Sequence, residues 1–342
     1  MFSNKFNISN YKVSNNSKTL IIAEIGINHE GNFQRCLKMV QQAKKSGADL
    51  IKIQVLNPEK NYKKGVKSLD VYKKSILTKE EVHNVYEFAK KKNIKLFSTF
   101  DKENFAFIKK LKPICFKISS SLFYDYYFIR EIQKENKPIL ISTGVTDLND
   151  ITILLNLLSK SKNKKISLLH CRSLYPTTLV KCNLSRIAYF KNNYKIIPGY
   201  SDHTIGFNAA IASIHYGAKI IEKHFSFDCK RIGFDHKISL EPKQFKNMVK
   251  KIREDEKLIG RFNFKIDDDK SDFKNIKKVS RQFILNKNLE KGSKIKKSDF
   301  NLIRIKKINN FSKFEKIIEK ILNKKISRSL KKGHQLLVKD FI

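Results

Sequence analysis

The chain has 342 residues, of which 41% are hydrophobic and 25 are phenylalanine, and its formal net charge at pH 7 is +39. This length suits about two domains, and the apolar content excludes a largely disordered chain. No apolar run approaches the roughly 20 residues of a membrane-spanning helix, so we expect no secretory leader and no membrane partner. The five cysteines form no CxxC pair, which indicates reduced thiols and a cytoplasmic location.

The positive charge would favour nucleic acid binding if it were concentrated on one surface. Lysine is instead scattered through nearly every predicted helix, and no zinc-finger spacing, RNP motif or basic heptad accompanies it. A compositional bias towards lysine explains this scatter, and the lysines then lie on solvated helix faces. Attraction of small anions is a secondary consequence. We therefore expect no nucleic acid partner.

Short apolar or β-type runs alternate with helical patterns along residues 1–259. The predicted strands are Leu20–Ile25, Leu50–Val55, Lys95–Ser98, Ile114–Ile118, Pro138–Ile141, Ile166–Leu169, Ile196–Tyr200 and Ala218–Ile221. The predicted helices are Phe33–Ser46, Lys79–Lys92, Lys102–Leu111, Tyr124–Asn136, Leu148–Lys160, Leu184–Asn193, Phe207–Tyr216 and Lys243–Leu258. Strand–helix alternation of this length is typical of an α/β protein with a (β/α)8 TIM barrel.

The C-terminal part of the chain has a different composition. Residues 260–278 are charged and non-periodic, which predicts a linker. Residues 279–342 contain short β-type runs around a Glu-Lys-Gly-Ser turn, and a second run–turn–run around Lys-Lys-Gly repeats that form. We therefore predict a catalytic barrel over 1–259, a linker, and a small β-rich domain over 279–342 that serves as a lid or an interaction domain.

Polar residues follow or end nearly every predicted strand, which is where barrel enzymes carry their catalytic groups. These residues are Glu24, Lys52, Gln54, Ser98, Thr99, Lys117, Ser120, Ser142, His170, Ser173, Ser201, His203, Glu222 and His224. A chain without a site at this rim would show such residues at both strand ends. The asymmetry favours an enzyme.

Two of these residues have metal-ligand chemistry. His203 and His224 follow adjacent parallel strands, so we expect them to lie on one rim of the barrel. Two neutral imidazoles can hold a divalent metal and leave positions open for a substrate. The alternative interpretation is that each histidine only caps a buried strand end.

Two lysines lie inside apolar strands, where an unpaired charge is costly. Lys52 stands in IKIQV and Lys117 stands in FKISS. Together with rim hydroxyls these cations suit a small phosphorylated carboxylate. The alternative interpretation of any one hydroxyl is that it only caps the following helix. The hydroxyls are those of Thr99, Ser120, Ser142 and Ser201. Glu24, within AEIGIN, is a candidate acid or base, or a partner of a sugar hydroxyl.

An ordered set of motifs carries a family resemblance over about residues 18–342. The motifs are AEIGINHEG, IKIQ, FST, FKISS, LISTG, HCRSLYP, GYSDHTIG, IIEKHF and GFDHKISLEP. The chain resembles the sialic acid synthase family, and its C-terminal segment resembles that family's antifreeze-like (SAF, β-clip) domain. The resemblance implies a transferase that condenses phosphoenolpyruvate with an N-acylated hexosamine and water, releasing phosphate, in surface glycan biosynthesis. It also implies a divalent metal, with Mn²⁺ expected first and Mg²⁺ or Co²⁺ as alternatives, and a homodimer with swapped SAF domains.

Motif by motif, the resemblance implies roles for individual residues. His203 and His224 resemble the metal ligands and, with Glu24, Lys52 and Lys117, the catalytic set. The implied phosphoenolpyruvate site consists of Lys52, Lys117, Thr99, Ser120, Ser142 and Ser201. The implied sugar site consists of Glu24, Gln54, Ser173, Tyr175 and Asp235, with Arg304 of the SAF domain entering from the partner chain.

The sequence departs from the family pattern at three places. Ser121 and Leu122 stand where the family usually has glycine and an acidic residue, and Ser173 stands where asparagine is frequent. The loop after Arg304 reads IKKINN in place of a Pro-Gly segment. The sugar therefore stays open between N-acetylmannosamine and legionaminic- or pseudaminic-type precursors. Another phosphoenolpyruvate-dependent condensing barrel, or a divergent inactive barrel, remains the alternative.

Overall fold

The computed structural model of the chain describes residues 2–260, 281–304, 322 and 324–342. The chain divides into two compact units, residues 1–260 and 261–342. The predicted linker lies outside the described residues except for Gly260.

Eight parallel strands close into a barrel in the first unit, which confirms the predicted (β/α)8 fold. A two-stranded antiparallel hairpin, β1 (Lys5–Ile8) and β2 (Tyr11–Ser14), precedes them. The barrel strands are β3 (Leu20–Gly26), β4 (Leu50–Val55), β5 (Leu96–Phe100), β6 (Phe116–Ile118), β7 (Ile139–Ser142), β8 (Ile166–His170), β9 (Ile197–Asp202) and β10 (Ile220–His224). Consecutive strands pair in parallel, and β10 pairs with β3 to close the barrel.

Helices surround the barrel, as the helical patterns in the sequence predict. Their bounds are α1 (Phe33–Lys45), α2 (Pro58–Asn61), α3 (Lys67–Lys73), α4 (Lys79–Lys91), α5 (Phe105–Lys110), α6 (Tyr126–Gln133), α7 (Leu148–Leu158), α8 (Ser185–Asn193), α9 (Asn208–His215) and α10 (Pro242–Ile259). Capping boxes start α4 and α7, among others. The side chains of Thr78 and Asp147 each accept the backbone N–H three residues on, and their own backbone N–H groups donate to the side chain of that residue. Helices α2 and α3 were not among the predicted helices.

The apolar residues form two layers that leave only one end of the barrel polar. One layer lies between the strands and the helices. The other fills the barrel, where Leu20, Leu50 and Ile220 pack with Phe6 and Ile8 of the hairpin. The β1–β2 hairpin thus closes the N-terminal end of the barrel with apolar side chains. Polar side chains therefore lie at the C-terminal end of the barrel, where barrel enzymes carry their functional groups.

The second unit is a small β structure, in line with the predicted β-rich domain. β11 (Arg281–Leu285) and β12 (Phe300–Arg304) pair in antiparallel fashion. The 324–342 segment joins β11 through the Ile284–Gln335 bridge and the loop after β11 through the Leu289–Leu330 bridge. Its SAF character stays a prediction. In the described ranges of both units, no helix is long and apolar enough to span a membrane.

Candidate active site

The candidate site lies inside the C-terminal end of the barrel, and strand alternation determines which residues reach it. Side chains two residues apart on a strand point to the same face. The inward positions of three neighbouring strands are Leu20, Ile22 and Glu24 in β3, Leu50, Lys52 and Gln54 in β4, and Ile220, Glu222 and His224 in β10. Each strand is therefore apolar towards the hairpin and polar towards the opposite end.

Glu222 is the centre of a buried ionic network. Lys52 Nζ lies 2.8 Å from Glu222 Oε2 and 2.8 Å from Glu24 Oε2. Lys117 Nζ lies 3.8 Å from Glu222 Oε1. All four side chains are at most 4% exposed. The two lysines therefore have the charge partners that their apolar surroundings demand.

The network shifts the ionisation of its members. Burial lowers the pKa of the Lys52 ammonium to about 7, although the Glu222 charge opposes this shift. Burial alone would raise the pKa of Glu222, but the charges of Lys117 and Lys52 outweigh it and hold that pKa well below its ordinary value. Each ammonium has three N–H donors, so the ion pairs leave donors for an incoming anion.

Hydroxyl groups extend the network along the rim. Ser201 Oγ donates to Glu222 Oε1 at 2.9 Å, which follows from the register that sets these residues side by side in β9 and β10. Lys117 Nζ donates to Ser142 Oγ at 2.7 Å. Thr99 is buried beside Lys117 in the β5–β6 pairing. Hydroxyls and ammonium groups together form a polar cradle of the kind that anions occupy.

A glycine brings further groups close to this cradle. The Gly144 N–H, after β7, donates to Ser120 Oγ at 2.9 Å. A Cβ at position 144 would lie 2.7 Å from Ser120 Oγ and would overlap Ser173 Oγ. Only glycine lets the three loops after β6, β7 and β8 approach each other here.

The two histidines lie side by side at the ends of β9 and β10. Their ring centroids are 5.6 Å apart, and the Tyr175 ring stacks on His203 with a centroid distance of 4.3 Å. His203 Nδ1 lies 2.7 Å from the Arg172 carbonyl oxygen. Because a carbonyl only accepts, Nδ1 carries the proton and Nε2 keeps its lone pair, with Ser201 Oγ 3.4 Å away.

These histidines fit an open metal site. Burial lowers the pKa of His203 to about 4 and the pKa of His224 well below its ordinary value, so both rings are neutral at pH 7. His224 Nδ1 is buried and has no hydrogen-bond partner among the described residues. The described residues contain no group of three or more side chains arranged as a metal cage. A metal held here would need ligands from water or substrate, as catalytic metals do.

Carboxylate and amide groups adjoin the ionic network and His224. Gln54 Nε2 donates to Glu24 Oε1 at 3.2 Å. Asp235 Oδ2 lies 3.5 Å from His224 Nδ1, and burial raises the pKa of Asp235 to about 6 although Lys52 opposes this. The Asp235 N–H donates to Asn28 Oδ1 at 3.0 Å, which fixes the loop after β10 against the loop after β3.

Comparison with known proteins identifies the family. A family description, that of the NeuB family, matches residues 39–263. The chain belongs to the NeuB family. Two NeuB-type relatives come from Campylobacter jejuni: a pseudaminic acid synthase, 33% identical over 95% of this chain and 97% of its own length, and an N,N'-diacetyllegionaminic acid synthase, 34% identical over 90% and 96%.

A solved structure leads to the same NeuB assignment. The N-acetylneuraminic acid (sialic acid) synthetase of Leptospira borgpetersenii serovar Hardjo-bovis, crystallised in complex with citrate, is 30% identical and superposes with a TM-score of 0.75. The match covers 80% of this chain and 96% of that chain. These findings confirm the predicted family and class of enzyme, a phosphoenolpyruvate-dependent condensing transferase.

The barrel of this NeuB-family chain brings together nearly all residues that the sequence pointed to. Those at the C-terminal end are Glu24, Lys52, Gln54, Thr99, Lys117, Ser120, Ser142, Ser173, Tyr175, Ser201, His203, His224 and Asp235. Arg304 is exposed at the end of β12 in the second unit, so it is described apart from them. The IKKINN segment after it lies outside the described residues.

Two polar strand-end residues face away from the NeuB-type site, contrary to the expectation that such residues mark the rim. Ser98 Oγ bonds Tyr86 Oη of α4 at 2.7 Å, and His170 Nε2 bonds the Cys182 carbonyl at 2.7 Å. Their strand parity points them towards the helices. Leu122 likewise packs against the helix–barrel core.

Proposed function

We propose that the chain is a nonulosonic acid synthase that condenses phosphoenolpyruvate with an N-acylated hexosamine and water, releasing phosphate. The observation that carries this proposal is the buried Lys52–Glu222–Lys117 network beside two neutral histidines. Membership in the NeuB family supports it. A role in surface glycan biosynthesis in the cytoplasm is part of the proposal, and five unpaired cysteine thiols agree with that location.

In the proposed reaction the lysine and hydroxyl cradle binds the anion, and Glu24, Gln54 and Asp235 bind the sugar. Lys52, Lys117 and Ser142 donate to the phosphate and carboxylate oxygens of phosphoenolpyruvate, which orients its methylene carbon towards the sugar aldehyde. A carbon–carbon bond then forms between these two carbons, and the aldehyde oxygen gains a proton. Water adds at the enol carbon, and the bond from this carbon to the phosphate oxygen breaks as phosphate leaves.

His203 and His224 would hold the proposed divalent metal, with Mn²⁺ expected before Mg²⁺ or Co²⁺. When bound there, the metal supplies Lewis-acid polarisation of an aldehyde oxygen. Carboxyl side chains of the barrel lie where protons are exchanged. Asp235 exchanges a proton near neutral pH because burial raises its pKa to about 6. Glu222 stays ionised between two lysines and holds their ammonium groups beside the anion, while the protons of the added water go to the aldehyde oxygen and to the departing phosphate.

We further propose that the sugar carries a second acylamino group. A cavity of about 270 Å³ adjoins Gln54, and about half of its wall is apolar, with Ile27, Val55, Ile76 and Leu77 among its residues. Such a wall suits the methyl end of an acyl group. Tyr72 also lines it, and burial and the Asp235 charge raise the pKa of this phenol, so it remains a hydrogen-bond donor. The N,N'-diacetyl name of one relative supports this class over N-acetylmannosamine.

The test of this proposal is phosphate release from phosphoenolpyruvate with N-acetylmannosamine and with 2,4-diacetamido-trideoxyhexoses. We expect turnover with a diacylated sugar. Ile76→Trp should fill the cavity and lower kcat/KM for that sugar by about 10- to 200-fold, the range seen when a small apolar group no longer fits its pocket. The Michaelis constant for phosphoenolpyruvate should not change.

Ile153→Trp is the matched control, because Ile153 is 46% exposed on α7 and Ile76 is 48% exposed. It should leave both constants unchanged. Equal kinetics for Ile76→Trp and the parent would contradict only the assignment of the cavity to the second acyl group and would leave the synthase proposal standing. Absence of phosphate release with every hexosamine would contradict the synthase proposal and favour the inactive-barrel alternative.

The proposed assembly is a homodimer in which the second unit of each chain, by its SAF resemblance, covers the partner's barrel. An Arg304→Ala chain and a His203→Ala chain should each be nearly inactive. Random mixing should restore about a quarter of the parent activity, because half the dimers are mixed and one of their two sites has neither change. If Arg304 acts in its own chain, mixing restores nothing. Two affinity tags verify that mixed dimers form.

A further inference from the structure

A second ion pair lies directly behind the histidines, and no step of the proposed reaction uses it. Lys223 Nζ and Asp202 Oδ2 are 3.1 Å apart, and both side chains are 0% exposed. They alternate with the inward residues of β10 and β9 and therefore point away from the barrel interior. A fully buried ion pair carries a large desolvation cost, so its contacts are informative.

The pair holds one residue of the chain by both of its backbone groups. Asp202 Oδ1 accepts the Thr204 N–H at 2.9 Å, and Lys223 Nζ donates to the Thr204 carbonyl oxygen at 2.6 Å. Tyr200 Oη donates to the same Asp202 oxygen at 3.4 Å. Thr204 follows His203 directly, and Lys223 directly precedes His224. The pair thus joins the two short segments that carry the histidines.

His203 also forms hydrogen bonds with the loop after β8. Its carbonyl oxygen accepts the Thr177 N–H at 2.9 Å, and its Nδ1–H donates to the Arg172 carbonyl. With Thr204 fixed by Asp202 and Lys223, little freedom remains for the backbone of His203 or for its ring. Metal ligands held in this way depend on the groups that orient them.

We propose that Asp202 and Lys223 are positioning residues that fix His203 relative to His224 for metal binding. This inference rests on the proposed function. The ion pair keeps the turn after β9 against β10, and the ring of His203 is thereby held with its centroid 5.6 Å from that of His224. Neither residue contacts the substrate.

The test uses the full-length Asp202→Asn/Lys223→Met double variant, which has no charge left at the two buried positions. Asparagine still accepts the Thr204 N–H, but the donor to the Thr204 carbonyl is lost. We expect the Mn²⁺ dissociation constant, measured by electron paramagnetic resonance, to rise about 10- to 100-fold. We also expect the ¹⁵N resonances of His203 to shift or broaden in metal-free protein labelled at histidine.

The control variant is Asp49→Asn/Arg253→Met, which removes a 2.9 Å ion pair at the N-terminal end of the strands. It should keep the parent's Mn²⁺ affinity and His203 resonances. If the Asp202/Lys223 double variant also keeps both, the inference is overturned. If the parent binds no Mn²⁺, the metal assignment fails and the His203 resonances decide the positioning role. If the double variant does not fold, the Mn²⁺ affinity and the His203 resonances of Asp202→Asn alone are measured. A change in them supports the inference, and parent values for both overturn it.

Discussion

Replacing Lys52 by methionine is expected to lower kcat/KM for phosphoenolpyruvate by roughly 30- to 5,000-fold. Methionine keeps an unbranched apolar stem but deletes the charge. Glu24 and Glu222, each 2.8 Å from Lys52 Nζ, would then face the bound trianion without this cation between them. Losing one partner of a desolvated charge contact costs about 2–5 kcal/mol, which corresponds to this range. Steady-state kinetics with saturating sugar measure it, and Lys117→Met should behave similarly.

Lys219→Met is the matched control for these variants. Lys219 Nζ donates to the Ser17 carbonyl at 3.2 Å, at the opposite end of the barrel, so this variant should keep the parent kinetics. Unchanged turnover and an unchanged Michaelis constant for phosphoenolpyruvate in both Lys52→Met and Lys117→Met would refute the anion-site assignment.

The pH profile gives an independent readout of Lys52. Its pKa is lowered to about 7 by burial, and the protonated form is the one that attracts the anion. kcat/KM for phosphoenolpyruvate should therefore fall as the pH rises through about 7. The residual kcat/KM of Lys52→Arg should stay constant to a higher pH than that of the parent, because a guanidinium stays protonated throughout this pH range. A parent profile that is flat from pH 6 to 9 would contradict this assignment.

The sequence was sufficient to predict the barrel and most of its polar rim because both depend on local pattern. Apolar runs separated by helical periodicity define strands, and parallel strands point their C-terminal ends in one direction. Residue type at a strand end does not define the facing direction, however. Ser98 and His170 point to the helix layer, because they are out of phase with the inward positions of β5 and β8.

Glu222 was seen in the sequence as a polar strand-end residue but was not assigned to the site. Its role depends on closure of the barrel, which pairs β10 with β3 and brings Glu222 within 2.8 Å of Lys52 in β4. No local pattern carries that information. The spacing of Glu222 two residues before His224 was nevertheless a usable signal, because alternation puts both on one face.

The elements that the sequence did not predict are short. Each strand of the β1–β2 hairpin has four residues, and α2 also has four. Segments of this length give too few periods to distinguish them from loops. Tertiary contacts stabilise the hairpin, since Phe6, Ile8 and Val13 are buried in the barrel interior.

His203→Ala and His224→Ala are expected to lower turnover by at least about a thousandfold while the barrel stays folded. Each variant removes one of two neutral imidazoles whose ring centroids are 5.6 Å apart, and a divalent ion cannot be held by the remaining one with useful affinity. A chelator should abolish turnover of the parent in the same way, and added Mn²⁺ should restore it. Calorimetric Mn²⁺ titration and circular dichroism separate loss of metal from loss of fold.

His215→Ala is the matched control, because His215 is a half-exposed histidine on α9 that pairs with Asp255 at 2.9 Å. It should keep both Mn²⁺ binding and turnover. The two site variants should also keep their affinity for phosphoenolpyruvate within a few fold, since the lysine cradle does not depend on either ring. Full turnover in His203→Ala or His224→Ala, or undiminished Mn²⁺ binding in both, would remove these histidines from the mechanism and leave them as caps of two buried strands.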